Sequence, residues 1–220
     1  MVKAVLWDLD GTLVDSAGFH WQAWRDIMDA EGAPITYAQF VESFGKRNDL
    51  ILKGWLGDGI DPERMSRLGD AKEARFRELV RAHGIAPLPG AREWVTRLAD
   101  EGWRHAIATS APRANLEALV DAMDMRRLFA AGVAAEDVTQ GKPDPGVFLI
   151  AAGRLYAPPQ HAIVVEDAPM GIEAGRRAGM RTIGVSLMHQ LQHADLYAGT
   201  LTELPDDAFD RLLRRPAHPQ

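Results

Sequence analysis

Apolar positions along the chain follow two rhythms. Ala4-Val5-Leu6-Trp7, His105-Ala106-Ile107-Ala108, Ala162-Ile163-Val164-Val165 and Thr182-Ile183-Gly184-Val185 are short, mostly apolar runs. Runs of this kind mark strands buried on both faces of a parallel sheet. Ala131–Ala134 reads as a shorter one, and Thr182–Val185 as the last clear strand. Between them, helical spacing predicts helices over 91–100, 112–123, 145–155 and 169–178. Pro112 near a helix start costs no hydrogen bond, Asp144 is placed as an N-cap, and Gly179 closes the last helix. Residues 17–86 keep another rhythm. Helices are predicted over 17–31, 36–44 with Thr36 as N-cap, 49–55 and 62–83, with no convincing strand.

Strands alternating with helices predict an α/β fold: a Rossmann-like open parallel sheet formed by residues 1–16 and 87–220. The helical block, residues 17–86, is predicted to be an inserted cap domain. The 220 residues suffice for that plan, and 46% hydrophobic with 25% charged residues is the balance of a globular protein. A net charge of -6 argues against nucleic-acid binding through bulk charge. The absence of cysteine removes disulfides, thiolate metal sites and a cysteine nucleophile. No apolar run is long enough to span a bilayer, and the first residues lead straight into a strand without a signal peptide. A cytoplasmic protein with no membrane partner is expected. A monomer is expected because no exposed apolar stripe stands out, and 214–220 read as a frayed tail.

The chemistry lies at the strand ends. Asp8 and Asp10 follow the first strand, separated by one residue, and strand alternation would point both carboxylates to one side. Gly11 lets the chain turn sharply. Two like charges so close need a cation or a proton, and Mg²⁺ takes one or two carboxylates with substrate phosphate oxygens. Thr109 and Ser110 end the second strand just before a helix start, where backbone N–H groups favour an anion. Lys142 lies in the stiff loop Gly141-Lys142-Pro143-Asp144-Pro145, and Glu166-Asp167 end a later strand. Taken singly, Ser110 reads as a helix cap, Lys142 as a solvated loop lysine, and Glu166-Asp167 as a solvated strand end. In a parallel sheet all of them converge on one edge, which gives acids for a metal and a hydroxyl with an ammonium for a phosphate.

At this point the sequence resembles the haloacid dehalogenase-like hydrolase superfamily across nearly its whole length. Asp8-Leu9-Asp10-Gly11-Thr12 looks like its first motif, Thr109-Ser110 its second, Lys142 in Gly-Lys-Pro-Asp-Pro its third, and Glu166-Asp167 its fourth. The helical block resembles the small cap of the subgroup that holds sugar-phosphate phosphatases and β-phosphoglucomutase. The resemblance implies that Asp8 attacks phosphorus and that Asp10 acts as general acid and then base. It implies Mg²⁺ held by Asp8, the Asp10 carbonyl and Asp167, with Glu166 assisting. Ser110, Lys142 and the turn amides near Leu9 and Asp10 would grip the phosphoryl oxygens, with Gly11, Thr12, Thr109 and Ala111 lining the site. Dehalogenating members lack a second aspartate at the position of Asp10, so its presence points to phosphate esters.

In the cap, Met65, Leu68, Lys72, Phe76 and Leu79 form one stripe, so Lys72 must snorkel or meet an anion. His20 and Trp24 share a face, which also suits a packed core, and Arg47 lies in an exposed loop. All four match substrate-contacting positions of β-phosphoglucomutase-like proteins. The segment Phe44-Gly45-Lys46-Arg47-Asn48-Asp49 looks more like the related phosphatases. Asn115 has three readings: substrate contact, surface residue or helix cap. Gly171 and Gly175 suit close helix packing or a tight approach to the metal loop, and packing is the reading favoured for Gly175. The expected activity is Mg²⁺-dependent hydrolysis of a small phosphorylated metabolite, a sugar or polyol phosphate. The alternatives are a phosphomutase and a non-catalytic phospholigand-binding module.

Overall fold

A computed structural model describes residues 2–214. The chain divides into two compact units, Met1–Asp15 with Ala86–Gln220, and Ser16–Ile85. The larger unit is built on six parallel strands: β1 (Ala4–Trp7), β2 (Arg104–Ala108), β3 (Ala131–Val133), β4 (Ala162–Glu166), β5 (Arg181–Val185) and β6 (Leu196–Ala198). Their order is β3-β2-β1-β4-β5-β6. Trp7 pairs with Ile107 on one side and Val165 on the other, so β1 lies centrally and each flanking strand runs one residue past it. The chain winds outward from β1 to β3, then returns to place β4 on the other side of β1. Such a reversal of strand order opens a crevice beyond the carboxyl ends, where ligands of these sheets bind.

Helices α5 (Ala91–Asp100), α6 (Arg113–Ala122), α7 (Gly146–Arg154), α8 (Pro169–Arg177) and α9 (Ala208–Arg214) complete this unit. Strand alternation divides the core. Ala4 and Leu6 pack with Ala106, Val164, Phe148 and Ala151 on the α7 side. Trp7 turns the other way, with its ring 6.0 Å from that of Phe209 on α9. Gly175 lets α8 lie close on the sheet, because a Cβ there would be 2.8 Å from Thr182 and 3.2 Å from Val164.

The smaller unit holds α1 (Ala17–Ala30), α2 (Tyr37–Ser43), α3 (Asn48–Leu56) and α4 (Pro62–His83). Trp24, Met28, Phe40, Ile51, Leu52 and Leu68 form its core. Thr36 and Gln39 close a reciprocal capping box at α2, and Asp61 caps α4 ahead of Pro62.

Several expectations are corrected. Thr182–Val185 is not the last strand: β6 and α9 follow it. β6 is three residues long with Ala198 its one buried side chain, too little for a periodic signal. Helix α6 starts at Arg113, with Pro112 extended at the N-cap position. Helix α7 starts at Gly146, one residue later than predicted, yet Asp144 Oδ1 still accepts the Gly146 N–H at 2.8 Å. Strand β1 stops at Trp7; Asp8 N–H still donates to Val165 O at 2.9 Å beside β4, and the turn that follows places Asp10. Arg214 belongs to α9 rather than to a frayed tail, and 215–220 lie outside the described residues. An apolar stripe does stand out: Tyr37, Val41 and Phe44 are 59, 47 and 39% exposed. Among the described residues no helix is long and apolar enough to cross a membrane.

Candidate active site

The segment after β1 folds back tightly. Leu9 O accepts the N–H groups of Thr12, Leu13 and Val14, while Gly11 N–H donates to Val14 O at 2.8 Å. Gly11 has φ +88°, and a Cβ there would come within 2.1 Å of Asp167 Oδ2. Glycine is therefore required both by the turn and by the approach of the carboxylate from β4. Thr12 is fully buried, and its Oγ1 has no hydrogen-bond partner among the described residues.

Residues far apart in sequence meet at this edge. Lys142 Nζ donates to Asp8 Oδ1 at 2.5 Å and to Glu166 Oε1 at 2.6 Å. Its ammonium also lies 5.0 Å from the centroid of the Phe148 ring on α7. Lys142 is thus a buried bridging cation, not a solvated loop residue. Glu166 is buried, not a solvated strand end, and its Oε2 accepts the Ala168 N–H at 2.9 Å. Gly171 makes room for it, since a Cβ at that position would be 1.8 Å from Glu166 Oε1. Of the two glycines on α8, Gly171 serves the carboxylate and Gly175 the packing.

Asp8, Glu166 and Asp167 each offer an oxygen, all within 4.8 Å of one another. Asp10 lies in the same turn, half-buried, and its charge acts on Asp167. Electrostatics reflect the crowding. Burial pushes the Asp8 carboxyl well above its ordinary range; Lys142 opposes this, while Glu166 and Asp167 reinforce it. Burial and the Glu166 charge push Asp167 up to about 8, against the pull of Lys142. Burial alone would lower Lys142, but the carboxylates of Asp8 and Glu166 outweigh it and raise the ammonium's pKa. Three acids around one ammonium leave negative charge uncompensated in a buried place. A hard divalent cation with oxygen ligands fits that donor set.

Thr109 is buried and Ser110 exposed at the end of β2. Thr109 N–H donates to Val133 O, and Thr109 Oγ1 accepts the Ala111 N–H, both at 3.0 Å. At the N-terminus of α6 the first N–H is already engaged. Both oxygens of Glu136 accept the Arg113 N–H, at 3.1 and 2.9 Å. Asn115 is wholly buried on α6, which excludes the surface reading, and Pro112 holds the N-cap position.

The other predicted substrate residues lie in the helical unit. Lys72 does not snorkel: it is 3% exposed, with Nζ 2.9 Å from Glu73 Oε1 and 2.9 Å from His20 Nδ1. The His20 ring stacks on Phe76 at 4.1 Å, and Trp24 lies under the ammonium within the unit's core. Glu73 Oε1 also accepts from Asn48 Nδ2 at 2.8 Å. Burial would raise Glu73, but the charge and hydrogen bond of Lys72 prevail and hold it below its usual range. Arg47 is exposed and pairs with Asp49 at 3.2 Å. Sequence reasoning passed over Phe148 and Glu73: neither carries a motif, and only the fold sets Phe148 against Lys142 and buries Glu73 with Lys72.

A six-stranded parallel sheet with acids and a lysine converging at its strand-order reversal defines a Rossmann-like α/β enzyme scaffold. Residues 2–179 match the family described as haloacid dehalogenase-like hydrolase, and the chain belongs to that family. It is 31% identical over 194 residues to "Protein CbbY" of Rhodobacter capsulatus, covering 83% of this chain and 84% of that protein. It is 30% identical to "Fructose-1-phosphate phosphatase YqaB" of Escherichia coli (strain K12), covering 84% and 96% respectively. The crystal structure of CbbY from Rhodobacter sphaeroides in complex with phosphate superposes with a TM-score of 0.87 at 26% identity, covering 96% of this chain and 100% of that one.

Proposed function

We propose that the chain is a Mg²⁺-dependent phosphatase acting on a small phosphorylated metabolite, a sugar or polyol phosphate, through an aspartyl phosphate on Asp8. The observation that carries this reading is the position of the Asp8 carboxylate, between Lys142 and the acids that end β4. In the first step an Asp8 oxygen attacks phosphorus and the P–O bond to the alcohol breaks. The Asp10 carboxyl donates its proton to the departing oxygen. In the second step Asp10 takes a proton from water as that water attacks the phosphoenzyme, releasing phosphate and restoring Asp8. Lys142, the Ser110 hydroxyl and the turn amides at Leu9 and Asp10 hold the phosphoryl oxygens, so positioning and charge stabilisation do the catalysis. Asp8, Asp167 and the Asp10 carbonyl would hold Mg²⁺, with Glu166 behind them. Bound there, the ion offsets charge on the acids and the phosphoryl group.

The names of the relatives support the substrate class: one is called a fructose-1-phosphate phosphatase. For substrate choice the proposal rests on Arg47, whose guanidinium suits a bidentate hold on phosphate or carboxylate. Lys72, His20 and Trp24 are assigned to the buried network of the helical unit. The test is release of p-nitrophenol from p-nitrophenyl phosphate with Mg²⁺ and with EDTA, followed by a panel of sugar phosphates scored for free phosphate against isomer formation. Metal-dependent phosphate release is expected. Isomer formation without phosphate would make the chain a mutase, and no turnover on any ester would make it a binding module.

A further inference from the structure

Behind the loop that carries Ser110 lies a second charged cluster, built of Asp137, Arg113, Arg154 and Glu136. Asp137 ends a short 3-10 turn after β3. Its Oδ2 accepts the Ala134 N–H at 2.8 Å and a bond from Arg113 Nη2. Its Oδ1 accepts from Arg154 Nη2 on α7 at 2.7 Å. The two arginines also converge on Gly132 O. One carboxylate thus ties the exit of β3 to the start of α6 and the end of α7. The tie reaches the Ser110 loop directly. Ala135 N–H, inside the turn that Asp137 closes, donates to Ala111 O at 3.0 Å. Glu136, next in the turn, holds the first N–H of α6. With Thr109 N–H held by Val133 O, the four-residue loop 109–112 is fastened on both sides of Ser110.

Resting on the phosphatase reading, we propose that Asp137 is a positioning residue for Ser110: through the Ala135–Ala111 hydrogen bond it sets where the Ser110 hydroxyl meets the phosphoryl group. It touches no substrate. A charged clamp suits the task because two guanidinium groups on one carboxylate fix direction as well as distance. Small displacements of a phosphoryl-gripping group are costly to rate.

The test is a double-mutant cycle with p-nitrophenyl phosphate and Mg²⁺. Asp137→Asn keeps the shape and an acceptor for Ala134 but removes the charge that gathers the arginines. In the wild-type background it should lower kcat/KM about tenfold, and in the Ser110→Ala background less than about twofold, because the group it positions is already gone. Equal losses in both backgrounds, or no loss in either, overturn the proposal. If Asp137→Asn does not fold, Arg154→Met, which removes one of the two cations, is run through the same cycle under the same criteria. Independently of turnover, amide exchange at Ala111 and Ala135 should quicken in the variant, and unchanged exchange overturns the proposal. A wild-type protein inactive on every ester would refute the phosphatase reading, while the exchange measurement still judges the clamp.

Discussion

In the helical unit, Lys72 is buried and matched by Glu73; His20 Nδ1 lies against the ammonium, and Asn48 donates to the Glu73 carboxylate. In the sheet unit, Lys142 is buried against Asp8 and Glu166, with Asp167 alongside. Within the contacts described, the first lysine is paired with one carboxylate, Glu73, while the second sits at a cluster of three. In the first cluster the pair stabilises the ionised carboxylate and Glu73 is lowered. In the second, Asp8 and Asp167 are both raised despite a lysine in reach. Buried charge that is matched within the chain supports structure; charge in excess is an invitation to a ligand of opposite sign. That contrast is what separates a site from a strut here.

The largest effect should come from Asp8→Asn, which removes the nucleophile. Turnover of p-nitrophenyl phosphate should fall by at least about 10⁴-fold in a folded protein. Asp10→Asn comes next, with a loss of about 10² to 10⁴-fold while Mg²⁺ binding, followed by calorimetry, persists. Near-normal turnover in this variant would remove the acid/base role.

Glu73→Gln tests the other side of the comparison. It leaves the Lys72 ammonium buried without its carboxylate, and chemical denaturation should show a loss of roughly 3 kcal/mol. Glu73 is held below 4.5 in the fold, so its stabilisation is complete above that pH and is lost as pH falls through the folded value. A variant as stable as the parent would mean that the pair is not a strut.

The smallest effect is the one that most directly reads the charge excess. Saturating Mg²⁺ at 100 times its Kd should stabilise the protein by about 2.7 kcal/mol, seen as a rise in Tm. Asp167 has a folded pKa of about 8, above its ordinary 3.8, so the metal-free fold prefers the proton. Its contribution to metal-free stability is complete below 3.8 and is lost as pH rises through about 8. Mg²⁺ must displace that proton, so the Tm gain should grow as pH rises toward 8. A gain independent of pH would mean that these acids are not the ligands.

Much of the site was legible because its pieces are local. Asp8-Leu9-Asp10-Gly11, Gly141-Lys142-Pro143 and Glu166-Asp167 each combine a strand end or stiff loop with a charged side chain. The long helices were legible for the same reason: 62–83 and 91–100 carry caps and periodic apolar faces, and both run as predicted. The misses have no local signature. β6 is too short and too exposed to show a period. Glu73 follows Lys72 by one residue, a spacing that does not face on a helix surface, yet the buried ammonium meets it at 2.9 Å.

The sequence alone determined the alternation of strands and helices, the helical insertion and which side chains could do phosphoryl chemistry, since propensity, capping and motif spacing act over a few residues. Tertiary structure alone decided what surrounds them. It set Lys142 against Asp8 across 134 residues, pressed Glu166 onto Gly171, and matched Lys72 inside its own unit. Charge balance in a buried cluster is a sum over neighbours in space, and those neighbours come from strand order and helix packing.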